Sequence, residues 1–101
     1  MSAKTKLAAI SDLAVGQSKC IKVGNKEIAL FRQAEGFYAL ANLCPHKNGP
    51  LSEGFVMNGQ VACPLHQWQF NLADGVCTTM PGKNAPSYPV EIKDDAVWIS
   101  L

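Results

Sequence analysis

Asn58-Gly59 stands between two short apolar runs, FVM (55–57) and QVA (60–62). This dipeptide accepts the left-handed backbone of a two-residue hairpin turn, so the runs are expected to pair as antiparallel strands. The same punctuation recurs along the chain. Gly24-Asn25 separates SKCIKV (18–23) from KEIALFRQ (26–33), and Ala34-Glu35-Gly36 precedes FYALAN (37–42). Ala73-Asp74-Gly75 separates QWQFNL (67–72) from VCTTM (76–80), and Lys93-Asp94-Asp95 separates YPVEI (88–92) from AVWISL (96–101). In the last run, alternation sets Val97, Ile99 and Leu101 on one face and Ala96, Trp98 and Ser100 on the other.

No segment holds a 3.6-residue apolar period for three turns. Only AKTKLAAISDLA (3–14) leans toward a helix, and it reads equally as an edge strand. Many short strands cut by Gly, Asn and Asp turns imply an all-β sandwich or small barrel. MPGKNAPSY (80–88) is the longest stretch without strand character outside the Cys/His segments. Pro81, Pro86 and Pro89 cannot donate to a ladder, so a stiff surface loop is expected there.

The 101 residues suit a single domain spanning 1–101. Lys plus Arg number 9 and Asp plus Glu 8. That balance lacks the basic excess a nucleic-acid partner requires. No apolar run approaches the roughly 18 residues of a transmembrane helix. The N-terminal MSAKTKLAAISDLAVGQSK carries early lysines without the sustained apolar core of a secretory signal. The reading is a cytoplasmic protein with no membrane partner, and there close Cys/His pairs indicate metal before disulfides. A bound metal centre would also help so small a core to fold.

The only two histidines each sit beside a cysteine: Cys44-Pro45-His46, then sixteen residues, then Cys63-Pro64-Leu65-His66. Both groups fall at predicted strand ends, Cys44 after FYALANL and Cys63 after QVA, so their loops are expected side by side. Two Cys and two His suit a structural zinc ion. Zinc patterns, however, keep like ligands together, and here each loop mixes one of each. That mixture suits two metal atoms, one held by two sulfurs and the other by two nitrogens.

At this separation the two groups resemble the Rieske iron–sulfur family. The resemblance implies a Rieske-like sandwich of short antiparallel strands with a small cluster-binding subdomain, its loops at about 42–54 and 61–70. It implies one [2Fe–2S] cluster per chain, with Cys44 and Cys63 on the inner iron and His46 and His66 on the outer iron. Two ferric ions, two sulfides and two thiolates are formally neutral, so an electron enters more readily than into an all-thiolate cluster. Pro45 and Pro64 fix backbone angles between ligands. Gly49 and Gly54 let the first loop turn tightly and leave N–H groups free to face sulfur. KNAP (83–86) stands where the family often shows Gly-Pro-Ala-Pro over the cluster, and it keeps only the last two residues.

Membrane-complex members carry two more cysteines, joined in a disulfide, at the positions of Gly49 and Leu65. They also carry a serine where this chain has Trp68. Both departures resemble the soluble Rieske ferredoxins, toward the low end of about −150 to +300 mV. Within that group, CPHKNGPLSEG, CPLHQWQFNLADG and YPVEIKDDAVWI resemble most the small subunit of assimilatory NAD(P)H nitrite reductases, with Trp68 and Phe70 as support. The resemblance then implies a one-electron relay in nitrate assimilation, not catalytic alone. Its partner would be a large subunit carrying flavin, a [4Fe–4S] cluster and sirohaem. The alternative is a soluble ferredoxin between a ferredoxin reductase and an aromatic-ring-hydroxylating dioxygenase, whose relatives share LSEG and the ligands. A zinc-stabilised interaction module is the third reading. Cys20, Cys77 and Trp98 are expected in the core, with no disulfide between the two cysteines. Trp68 is expected to pack under the second loop, and Lys47 and Glu53 to be solvated surface charges.

Overall fold

The computed structural model describes residues 4–42, 50–64, 68–79 and 82–100. Among them the strands are, in chain order, β1 (Lys4–Ala9), β2 (Ser18–Val23), β3 (Lys26–Gln33), β4 (Gly36–Ala41), β5 (Phe55–Met57), β6 (Gln60–Ala62), β7 (Gln69–Asn71), β8 (Ser87–Tyr88), β9 (Val90–Lys93) and β10 (Ala96–Ser100). They form three antiparallel sheets, ordered β1-β10-β9, β2-β3-β4-β8 and β5-β6-β7. The all-β expectation holds, and the ambiguous N-terminal segment is an edge strand. A 3-10 turn over Ile10–Asp12 follows it.

The turn chemistry explains the registers. Asn58 and Gly59 take φ of 54 and 76, the left-handed pair of a type I′ turn, and Met57 pairs Gln60 across it. Asp94 and Asp95 do the same at φ of 53 and 59, so the last hairpin turns on two residues between Lys93 and Ala96. Asp tolerates this backbone better than most residues with a Cβ.

The four-stranded sheet contributes to both cores. The unbroken run Ile28-Ala29-Leu30-Phe31 on β3 has no exposed residue, as expected of a strand buried on both faces. Ile28 and Leu30 join Ala39, Val97 and Ile99 in one core, shared with the β1-β10-β9 sheet. Ala29 and Phe31 join Leu40, Leu51, Val61, Phe70 and Leu72 in the other, shared with the β5-β6-β7 sheet. Full burial of each large apolar side chain contributes about 1.5–3 kcal/mol in transfer free energy.

Several expectations change. Among the described residues 76–79, VCTTM forms no strand and makes one isolated bridge, Cys77 to Phe70. The Cys77 N–H turns away and donates to Asn84 Oδ1 at 3.0 Å. Ser87, expected in a loop, pairs with Leu40 instead, and Tyr88, the first residue of the YPVEI run, pairs with Ala39. The loop before them is partly buried: Ala85 is 1% exposed and its N–H donates to the Gly75 carbonyl at 2.8 Å. Cys20 is exposed and not in the core: it lies on the edge strand β2, where its thiol meets the polar groups of Asn42 and Glu27. Trp98 is half-buried on the outer face of its sheet, where its indole N–H donates to the Lys93 carbonyl at 3.2 Å. Alternation sends Val97 and Ile99 inward and leaves Trp98 outside both cores. Cys77 is buried as expected.

Candidate metal centre

Of the four candidate ligands, Cys63 lies among the described residues, while Cys44, His46 and His66 fall outside them, as do Gly49, Leu65 and Lys47. Cys63 follows β6 directly and is fully buried, packed in the core that holds Leu51, Val61, Phe70 and Cys77. Its N–H donates to the Trp68 carbonyl at 2.8 Å, which closes the base of the segment 64–67. Trp68 is partly buried and packs against the same core, as expected from its place beside the second loop. Phe70, two residues on, is completely buried.

The base of the first loop is closed as well. Asn42 ends β4's extended run, and Leu51 begins a 3-10 turn over Leu51–Glu53. The Leu51 N–H donates to the Asn42 carbonyl at 2.6 Å, and the Ser52 N–H to Asn42 Oδ1 at 2.8 Å. Asn42 and the Leu51–Ser52 pair, on either side of positions 43–49, are therefore held together. Glu53 in that turn is exposed, in line with a solvated charge.

The two bases are joined by β5. Phe55 pairs Ala62, the residue before Cys63. Just before Phe55, a Cβ on Gly54 would collide with the Ala62 carbonyl oxygen and approach Val61 Cγ2 to 2.9 Å. Gly54 is thus required by close approach and not by a left-handed backbone, since its φ is −77. Its N–H donates to the Leu51 carbonyl at 3.0 Å and is not free to face sulfur, contrary to the sequence expectation.

This arrangement fits a metal–sulfur centre. A thiol sealed in apolar surroundings suits a closed metal–thiolate bond better than exposed thiol chemistry. The segments that carry the mixed Cys/His set spring from adjacent, hydrogen-bonded bases. Short paired strands and such bases are how a fold positions ligands supplied by loops.

Fold and site define a small all-β domain of the iron–sulfur class. Residues 4–100 match the Rieske-like [2Fe-2S] domain family, and the chain belongs to it. Its cofactor is a Rieske-type [2Fe–2S] cluster, and its role is electron transfer. The ferredoxin component of the naphthalene 1,2-dioxygenase/salicylate 5-hydroxylase systems of a Ralstonia species is 35% identical over 96 residues, covering 93% of this chain and 91% of that one. The ferredoxin of carbazole 1,9a-dioxygenase from Nocardioides aromaticivorans is similar in structure, with TM-score 0.89, 25% identity and 97% of each chain covered. A Mycobacterium tuberculosis structure assigned as the small subunit of an NADH-dependent nitrite reductase superposes at TM-score 0.92 over 100% of this chain and 96% of that one. At 24% identity, that last likeness carries the fold alone.

Among the described residues no helix is long and apolar enough to cross a membrane. Asn42 is the residue of this site that the sequence did not flag. Its only sequence signal is a polar side chain closing the apolar run FYALA, two residues before Cys44.

Proposed function

We propose that Cys44 and Cys63 hold the inner iron of the cluster and His46 and His66 the outer iron, within one domain spanning 1–101. We further propose that the chain is a cytoplasmic ferredoxin, passing electrons singly from a ferredoxin reductase to an aromatic-ring-hydroxylating dioxygenase. The end-to-end match to a dioxygenase ferredoxin at 35% identity carries this choice. It displaces the nitrite reductase small subunit as the first reading. The run His66-x-Trp68-x-Phe70 had favoured that subunit, yet Trp68 and Phe70 both pack in the core around Cys63. Such a run answers to packing and does not identify a partner.

The cluster, when bound, takes up and releases one electron at a time. The chain's own residues do the rest. Phe70, Leu51 and Val61 exclude water around the Cys63 side chain. The hydrogen bonds of Asn42 to Leu51 and Ser52 and of Cys63 to Trp68 fix the residues from which the ligand segments depart.

Electron paramagnetic resonance of the reconstituted, dithionite-reduced protein tests the ligand set. Mixed nitrogen and sulfur ligation gives a lower average g value than four thiolates. A colourless protein with one zinc and no acid-labile sulfide would overturn the assignment. Stopped-flow reoxidation tests the partner. The reduced protein is expected to pass electrons faster to an oxygenase of the naphthalene dioxygenase type than to a flavin- and sirohaem-bearing nitrite reductase subunit. The reverse order would restore the nitrite reductase reading.

A further inference from the structure

We propose that Asn42 is a positioning residue for the cluster, fixing the first ligand loop through a polar clamp that spans three strands and the loop's return. The proposal rests on the ligand assignment for Cys44 and His46.

Asn42 is 2% exposed, one of two buried polar residues among those described. A buried amide is stable only when its donors and acceptors are all met. Here they are met by groups from separate elements. The Asn42 backbone N–H donates to the Glu27 carbonyl at 2.8 Å, which anchors it to β3. Its carbonyl and its Oδ1 accept the N–H groups of Leu51 and Ser52, the first residues after the loop returns. Its Nδ2 donates to Cys20 Sγ at 3.3 Å on β2 and to Glu27 Oε1 at 3.4 Å. Ser52 is gripped from its other side too, because the Ser18 hydroxyl donates to its carbonyl at 2.5 Å.

One side chain therefore joins the departing and returning ends of the segment that carries Cys44 and His46. Anything that loosens it changes where that segment starts. An exposed loop closure would tolerate water in place of the amide, whereas this one is sealed. The clamp is also polarised: the amide offers N–H toward Glu27 and oxygen toward Ser52. Asn42→Asp keeps the oxygen for Ser52 and sets a carboxylate against Glu27. Adding Glu27→Gln returns a donor to that contact.

The full chain is loaded with cluster anaerobically, and release of iron to a chelator is timed. Resonance spectra of the reduced forms and melting curves of the cluster-free forms are recorded alongside. Asn42→Asp is expected to speed iron loss by about 10–100-fold, the usual range for supporting contacts around a metal site, and to broaden the resonance lines. The pair Asn42→Asp with Glu27→Gln is expected to recover most of both. Ser18→Ala, which touches the same clamp from β2, is expected to speed loss by a smaller factor. If Asn42→Asp takes up no cluster, Ser18→Ala decides alone, and an unchanged release rate overturns the proposal. So does a double variant no better than the single, with melting lowered equally in both, because that describes a structural role only. A wild-type chain that binds no cluster overturns the ligand assignment itself, and this proposal with it.

Discussion

The two cores meet on opposite sides of β3, and they are built differently. The one shared with the β1-β10-β9 sheet is wholly apolar, made by Ile28, Leu30, Ala39, Val97 and Ile99, and its strands run four to eight residues. The one shared with the β5-β6-β7 sheet contains Cys63 and Cys77, and its three paired strands have three residues each. A sheet that small has little stability of its own. It is held by side-chain and backbone bonds at the loop bases, and a bound metal centre adds binding energy to its folding. The comparison teaches that the scaffold face follows from apolar patterning, whereas the site face depends on a few polar contacts and on its cofactor.

The largest effect should come from Cys63→Ala. The variant is expected to lose the cluster altogether while its far-ultraviolet circular dichroism keeps the strand signal of the other two sheets. Loss of that signal together with the visible bands would show that the faces do not fold separately.

A paired truncation sharpens the contrast. Phe70→Ala is expected to lower stability by about 3–5 kcal/mol and Ile99→Ala by about 2–5 kcal/mol, both from buried large-to-small change. Chain stability is generally about 5–15 kcal/mol, so either is a serious loss. Only Phe70→Ala should also hasten cluster release below the melting temperature. Equal release rates in the two variants, measured by decay of the visible absorbance, would erase the distinction.

Gly54→Ala should come next. The added Cβ strikes the Ala62 backbone oxygen, which cannot swing aside as a flexible side chain would. Overpacking of this kind costs about 1–3 kcal/mol. Chemical denaturation should report a lower midpoint. A neutral result would mean that β5 and β6 separate more easily than their pairing implies.

Much of the scaffold was legible because its signals are local. Asn58-Gly59 and Gly24-Asn25 set hairpins at the residues where they occur, since few dipeptides accept those angles. The type of cluster was legible as a resemblance carried by the two Cys/His groups. Cys20 was misjudged because alternation gives the face of a strand and not whether anything covers it. At the edge of a sheet, that depends on packing far away in sequence. Trp98 failed for the same reason, on a sheet with one open face. Residues 76–79 pair with β7 only around Cys77, through Asn71 N–H to the Val76 carbonyl and Thr78 N–H to the Gln69 carbonyl, while the outward Cys77 N–H is taken by Asn84, seven residues on. Asn42 could not be singled out, since its partners Cys20, Glu27 and Ser52 are scattered along the chain and meet only in the fold.

The smallest expected effect probes the border between the two regions, at Cys20. This thiol is exposed, while Cys63 and Cys77 are buried. Its pKa is raised by desolvation first, then by the charge of Glu27 and its hydrogen bond to Glu27 Oε1 at 3.6 Å, with Lys22 opposing. The thiol is neutral when protonated, so a raised pKa means less thiolate near neutral pH and slower alkylation than exposure alone suggests. The stability term has the same sign: it is fully present below the unfolded-state pKa and is lost as pH rises through the folded-state value. Alkylation of Cys20, followed by mass spectrometry across pH, should therefore rise later than for a model thiol. Glu27→Gln removes the charge while keeping a hydrogen-bonding group, and should move the profile back to lower pH. Superimposable profiles for the two proteins would show that Glu27 does not govern this thiol, and that the polar clamp stops short of the β2 edge.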